Sequence, residues 1–238
     1  MWETMTGTKK AIQEMKRKAA KEALRFVKDG MVLGIGSGST VREFIKLLRT
    51  SDFDTQKIVC IPSSFDTENM LIENNMVVGS LNQFPVIDLT VDGADRVDKD
   101  LNVIKGGGAA LLREKIIAAA AKDLVIIVEE SKMVDELGES FPIPVEVIPH
   151  AKEFVKKKLL ALQGEPKLRI ASDKLGPTVT DNGNVILDTD FKIISNPTIF
   201  EGILNNIPGV MENGLFPSYL VSRVIVASEK EIKIKEKT

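Results

Sequence analysis

Residues 91–114 read VDGADRVDKDLNVIKGGGAALLRE. The run Val86 to Val91, VIDLTV, that leads into them reads as a buried strand. Ala109 to Lys122, rich in alanine and free of proline, reads as a helix. Between the two stand carboxylates at Asp92 and Asp95, an ammonium at Lys105, the glycines Gly106, Gly107 and Gly108, and a further carboxylate at Glu114. Taken singly, Asp92, Gly93, Asp95, Asp98 and Asp100 suit ordinary turns and caps, because aspartate bonds its own backbone. Alternating oxygen ligands also suit calcium, but the spacing lacks the glycine and terminal glutamate of an EF-hand loop. Three consecutive glycines cost backbone entropy that an ordinary loop need not spend, which points to backbone held close to a ligand. Ligands of open α/β sheets bind at the carboxyl ends of strands, and helix N-termini attract anions.

Outward from this segment, the chain alternates short apolar runs with helical periodicity. Met1 to Thr8 is expected to be a disordered leader, and Ala11 to Val27 a helix. Met31 to Ile35 reads as a strand running into a glycine-rich turn, with Val41 to Leu48 helical after it. Ile58 to Ile61 and Leu124 to Val128 are further strands, and Asp66 to Asn74 is a helix. Four apolar strands separated by helices predict a parallel sheet buried on both faces, whose carboxyl ends share one edge.

The turn after the first strand, GIGSGST at residues 34–40, offers backbone N–H groups and the hydroxyls of Ser37, Ser39 and Thr40 around Gly38. It lacks the third glycine of a dinucleotide fingerprint and the Gly-Lys-Ser/Thr of a nucleotide loop, so a monophosphate suits it better than a nicotinamide cofactor.

From Phe141 the character changes. Three prolines punctuate FPIPVEVIP, and Ala151 to Leu162 is helical, with Lys156 to Lys158 on a solvated face. Leu168 to Ala171 and Val185 to Asp188 read as strands joined across Asp181-Asn182-Gly183-Asn184, a hairpin signal. Pro197 to Asn206 is helical and Val210 to Phe216 a strand. This succession describes a small ferredoxin-like α+β module. Tyr219 to Ala227 is expected to return to the first domain, and the charged tail from Glu229 to form an exposed edge strand. The fold class is therefore α/β, a Rossmann-like parallel-sheet domain over residues 1–136 and 217–238, with the smaller α+β domain over 137–216.

Composition narrows the function. The chain has 238 residues, with 32 basic against 34 acidic side chains and a formal charge of -2. No global field draws it to nucleic acid or to an anionic membrane. Cys60 is the one cysteine and His150 the one histidine, so a disulfide framework, a histidine triad and a multi-cysteine or two-histidine metal site are unavailable. No metal and no cofactor are expected, and the absence of a signal-like apolar run predicts a cytoplasmic protein. Any chemistry falls to carboxylates, lysines and backbone amides.

DGAD followed by KGGGAALLRE resembles the type A ribose-5-phosphate isomerases. GIGSGST, the Pro-Ser-Ser segment at 62–64, Glu-Glu-Ser-Lys at 129–132 and FPIPVEV at 141–147 follow in that family's order, so the resemblance covers nearly the whole chain. It implies interconversion of ribose 5-phosphate and ribulose 5-phosphate through an enediolate, without a cofactor, in the non-oxidative pentose phosphate pathway. It further implies a homodimer or homotetramer. By resemblance Glu114 matches the proton-shuttling base and Asp92 the group that assists ring opening. Asp95 and Lys105, with the Gly106 to Gly108 amides, match groups near the reacting oxygens. Ser37, Gly38, Ser39, Thr40, Lys132 and Lys16 match the phosphate end, Ser37 standing where some members carry threonine. Two other readings belong beside this one: the effector module of a sugar-phosphate-responsive repressor, and a CoA-transferase-like enzyme. The first would need a helix-turn-helix segment, for which the short charged N-terminal helix leaves no room, and the second a separate nucleotide loop.

Overall fold

A computed structural model describes residues 2–139, 141–173 and 175–236. In chain order the elements are α1 (Trp2–Ala23), β1 (Val32–Ile35), α2 (Ser39–Arg49), β2 (Val59–Pro62), α3 (Phe65–Glu73), β3 (Val77–Val78), β4 (Ile87–Asp92), β5 (Arg96–Val97), β6 (Val103–Ile104), α4 (Leu111–Ala120) and β7 (Ala121–Glu129). There follow β8 (Ile143–Val147), α5 (Lys152–Ala161), β9 (Glu165–Leu168), β10 (Val185–Asp190), α6 (Pro197–Asn205), β11 (Val210–Asn213), β12 (Leu215–Phe216), β13 (Arg223–Ala227) and β14 (Ile232–Glu236).

The chain groups into two units, one of Met1–Ala94, Ile116–Lys132 and Leu220–Thr238, the other of Asp95–Lys115 and Met133–Tyr219. Residues 95–115, 133–136 and 217–219, expected with the first domain, thus group with the second. The divided course has a local reason: β5 and β6 pair with each other, and β6 pairs with β12, so the segment after Asp92 is hydrogen-bonded to the second unit's own chain.

In the first unit a seven-stranded sheet runs β14-β13-β7-β4-β1-β2-β3. Every neighbouring pair is parallel except β13 with β14, the antiparallel edge. The anticipated strands form its centre. The interior of β7 is apolar because helices cover both faces: Val125, Ile126, Ile127 and Val128 are all buried, whichever way they point. Ala19, Ala20 and Ala23 on α1 are also fully buried, their small side chains letting the helix sit close among Leu33, Ile35, Phe44 and Val125. α1 begins at Trp2, so the segment expected to be a disordered leader is largely helical. The chain leaves β1 toward β2 and β3, then crosses back to β4 and on to β7. β1 and β4 therefore flank the point where the strand order reverses, where ligands of such sheets bind.

In the second unit β8, α5, β9, β10, α6 and β11 follow one another, and the antiparallel sheet is ordered β11-β8-β10-β9, the ferredoxin-like arrangement. Ile143, Val145, Val155, Leu159, Leu187 and Leu204 fill its core. The run Val210 to Phe216, expected as one strand, is two strands in different sheets. Gly214 divides them: its N–H donates to Pro144 O at 2.8 Å and its carbonyl accepts from Lys105 N at 2.9 Å. A Cβ there would lie 2.3 Å from Lys105 O.

Candidate active site

In the first unit the turn after β1 carries the proposed phosphate ligands. Gly38, at φ 99°, is the N-cap of α2 and supplies no side-chain cap, so the first N–H groups of that helix remain available to an anion. Such a backbone angle favours glycine. Lys16 Nζ donates to Ser39 Oγ at 2.9 Å, placing an ammonium beside the turn. The Ser37 hydroxyl, also expected at the phosphate end, has hydrogen-bond partners within this unit. It bonds Ser63 Oγ at 2.8 Å and Ser64 Oγ at 3.0 Å. Thr67 Oγ1 donates to Gly36 O at 2.8 Å, so the Pro-Ser-Ser segment and α3 brace the turn from behind.

Asp92, at the end of β4, is 1% exposed, and its Oδ1 accepts the N–H groups of Ser37 at 3.1 Å and Gly93 at 2.7 Å. The carboxylate and the turn after β1 are thus one hydrogen-bonded assembly. Gly36 is where they touch: a Cβ on it would lie 1.9 Å from Asp92 Oδ1. Lys132, half-buried, closes a single 3-10 turn after β7, at the same edge of the parallel sheet.

In the second unit Lys105 Nζ lies 3.2 Å from Glu114 Oε1, with 4% and 6% of the side chains exposed. Lys105 leaves β6 and Glu114 sits in the first turn of α4; the glycine run between them brings the two together. Lys105 Nζ also stands 5.7 Å from the centroid of the Phe216 ring, on the side of the cation–π range where attraction is still felt. Asp95 Oδ2 accepts the Gly107 N–H at 2.7 Å, so this amide, one of those expected to face the substrate, is already engaged. Gly107 has no room for a side chain, since a Cβ would meet Asp95 Oδ1 at 2.6 Å.

Arg169 was not singled out in the sequence. Its Nη1 donates to the carbonyls of Gly106 at 2.7 Å and Gly107 at 3.1 Å, while Asp188 holds its other edge. An arginine between two strands carries no local motif, so only the folded chain reveals the clamp. Among the described residues no group of three or more histidine, cysteine, aspartate or glutamate side chains is arranged to hold a metal ion, and no helix is long and apolar enough to cross a membrane.

A buried acid–lysine pair beside a glycine loop, and a hydroxyl-rich anion turn, are the parts that enolisation of a phosphorylated sugar needs. Residues 59–231 match the sequence profile of ribose 5-phosphate isomerase A (phosphoriboisomerase A). The chain belongs to the ribose 5-phosphate isomerase A family. The family's protein from Pyrococcus abyssi is 45% identical over 95% of this chain and 99% of its own length. That from Methanocaldococcus jannaschii is 42% identical over 94% and 99%. Among solved structures, the ribose 5-phosphate isomerase A of Methanocaldococcus jannaschii superposes with a TM-score of 0.90 at 40% identity, covering 94% of this chain and 99% of that one. The ribose 5-phosphate isomerase of Plasmodium falciparum reaches a TM-score of 0.88 at 29% identity, covering 95% and 99%.

Proposed function

We propose that Glu114 is the base that carries a proton between carbons 1 and 2 of the sugar. The chain is an aldose-ketose isomerase that interconverts D-ribose 5-phosphate and D-ribulose 5-phosphate, a step of the non-oxidative pentose phosphate pathway. The observation that carries the residue assignment is the buried Lys105–Glu114 pair.

From the open-chain aldose, the Glu114 carboxylate takes the proton on carbon 2. The electron pair released forms the carbon 1–carbon 2 double bond, and negative charge collects on oxygen 1 of the enediolate. The Lys105 ammonium stabilises that charge, in a site where water does not screen it. Glu114, now a carboxylic acid, returns the proton to carbon 1, while one proton passes from oxygen 2 to oxygen 1. Carbon 2 is oxidised and carbon 1 reduced within one molecule, so the reaction balances without a redox partner. Asp92 assists ring opening. Ser39, Thr40, Gly38, Lys16 and Lys132 hold the phosphate, with Ser37 shaping the turn. Asp95 orients the glycine loop through Gly107.

A relative 44% identical to this chain was solved in complex with phospho-erythronic acid. A phosphorylated acid of that kind has a planar carboxylate whose two oxygens resemble those of an enediolate, which supports the same division of labour here. In this reading the protein works in the cytoplasm as a homodimer or homotetramer, and exposed Ile199, Ile203 and Met211 offer apolar surface for self-association.

The test is isomerisation in heavy water. The protein should interconvert the two pentose phosphates and introduce deuterium at the substrate carbon. Glu114→Gln keeps the shape but cannot accept the proton, and should lose both activities by about 100-fold to 10,000-fold while still binding ribose 5-phosphate. Near-normal turnover by Glu114→Gln would remove the base from Glu114. Binding without isomerisation by the unaltered protein would favour the repressor-like effector module.

A further inference from the structure

Glu146, on β8, is fully buried, yet its role in the reaction is not evident from its position in the sheet. Its Oε1 accepts three hydrogen bonds: from Thr180 Oγ1 at 2.8 Å, from Asn184 Nδ2 at 2.8 Å and from Asn182 Nδ2 at 3.2 Å. Its Oε2 finds no hydrogen-bond partner among the described residues. Burying a carboxylate is costly, and here three neutral donors converge on one of its oxygens. All three come from the turn Thr180 to Asn184, which also closes on itself through Gly183 N to Thr180 O at 2.9 Å and Thr180 N to Asn184 O at 2.9 Å.

The consequence lies at Asn182. Because its Nδ2 donates to Glu146, its Oδ1 must face the other way, where it accepts from Arg113 Nε at 2.9 Å. A flipped amide would set oxygen against carboxylate and NH2 against guanidinium, both repulsive. Arg113 Nη2 donates to Asp181 O at 3.1 Å as well. Arg113 immediately precedes Glu114 in the first turn of α4. On the following residue Lys115 Nζ meets Glu201 Oε1 at 3.0 Å and Glu212 Oε1 at 2.6 Å. Successive helical side chains point about 100° apart, so this turn is gripped on both flanks of Glu114.

We propose that Glu146 is a positioning residue for the isomerisation, acting through Asn182 and Arg113 to fix the first turn of α4 and with it the direction of the Glu114 carboxylate. The inference rests on Glu114 being the base. A misplacement of about 1 Å at a reacting group can cost on the order of 100-fold in rate, so a network that leaves binding untouched acts on turnover.

The experiment compares steady-state kinetics and thermal unfolding of the full chain with Asn182→Ala, Glu146→Gln, Glu146→Leu and Glu114→Gln, and with Asn182→Ala combined with Glu114→Gln. Asn182 is exposed, so its replacement leaves the core intact even where Glu146→Leu does not fold. Asn182→Ala should lower kcat by about 10-fold to 100-fold, with KM for ribose 5-phosphate within a factor of about two. Glu146→Gln still presents Oε1 to the same three donors and should keep near-normal kcat. In the Glu114→Gln background Asn182→Ala should have no further effect. Turnover in Glu114→Gln itself would overturn the base assignment and the inference with it. An inactive Glu114→Gln alongside normal kcat in Asn182→Ala would overturn the positioning role alone, as would a fall in kcat matched by lost thermal stability and by a rise in KM.

Discussion

Lys105 and Glu114 form a buried ion pair, Nζ to Oε1 at 3.2 Å, across the two ends of the glycine run. In water such a contact is worth little, but here each charge has been taken out of solvent and depends on the other. Lys105→Met would leave the Glu114 carboxylate buried without its ammonium. Breaking a buried pair on one side costs about 3–5 kcal/mol of stability. In the proposed mechanism Lys105 also stabilises the enediolate, so its removal should lower kcat by a further factor of about 100 to 1,000. Denaturant unfolding and steady-state kinetics on the same preparation check both, and an unchanged midpoint would mean that the pair is not formed in solution.

Gly36 and Gly38 are two residues apart in the turn after β1, the proposed phosphate site, and should fail differently. A methyl on Gly36 would fall 1.9 Å from Asp92 Oδ1, so Gly36→Ala must push the carboxylate out of place. The expected loss is about 1–3 kcal/mol of stability together with a fall in kcat. Gly38 has open space around it but sits at φ 99°, so Gly38→Ala carries only backbone strain, roughly 1 kcal/mol, and should raise KM through the altered helix N-terminus. Equal effects of the two replacements on kcat would contradict the contact between Gly36 and Asp92.

Thr40 stands in the first turn of α2, and the proposed site puts it at the end of the substrate that does not react. Replacing its hydroxyl by a methyl in Thr40→Val should raise KM by about 10-fold, the loss of one hydrogen bond to a charged group. Some of that binding energy can be used in the transition state, so a modest fall in kcat is compatible. A collapse of kcat at constant substrate affinity would place Thr40 at the reacting end instead.

Cys60 lies on β2 in the core of the first unit, and burial pushes its thiol up to about 12. Only the thiolate attacks disulfide reagents, and at pH 8 almost none exists in the folded protein. Titration with an aromatic disulfide reagent should therefore show no reaction until denaturant is added, then one thiol per chain. Rapid labelling of the native protein would show that β2 opens on the timescale of the assay.

Much of this protein could be read directly from the chain. The uninterrupted apolar run Leu124–Val128 announced a strand covered on both faces, because a strand with one wet face must alternate. The glycine turn after β1, the acidic end of β4 and the glycine run before α4 placed most of the chemistry at strand ends. The alternation of charge and isoleucine after Glu229 marked the edge strand β14, whose antiparallel pairing with β13 came only with the fold. These features depend on neighbours a few residues apart, which local propensity and periodicity report faithfully.

What the tertiary structure decided are the partnerships between residues remote in sequence. Nothing near Ser37 says that its N–H will meet Asp92, nothing near Arg169 says that it will hold the carbonyls of Gly106 and Gly107, and nothing near Glu146 says that it will orient Asn182. The break of Val210–Phe216 at Gly214 and the grouping of residues 95–115 with the second unit arise in the same way, from strand pairs formed across long separations. Strand order sets those contacts, and strand order is a property of the assembled sheets. The residue types needed for proton transfer are therefore written in the sequence, whereas their hydrogen-bonded geometry exists only once the chain has closed around them.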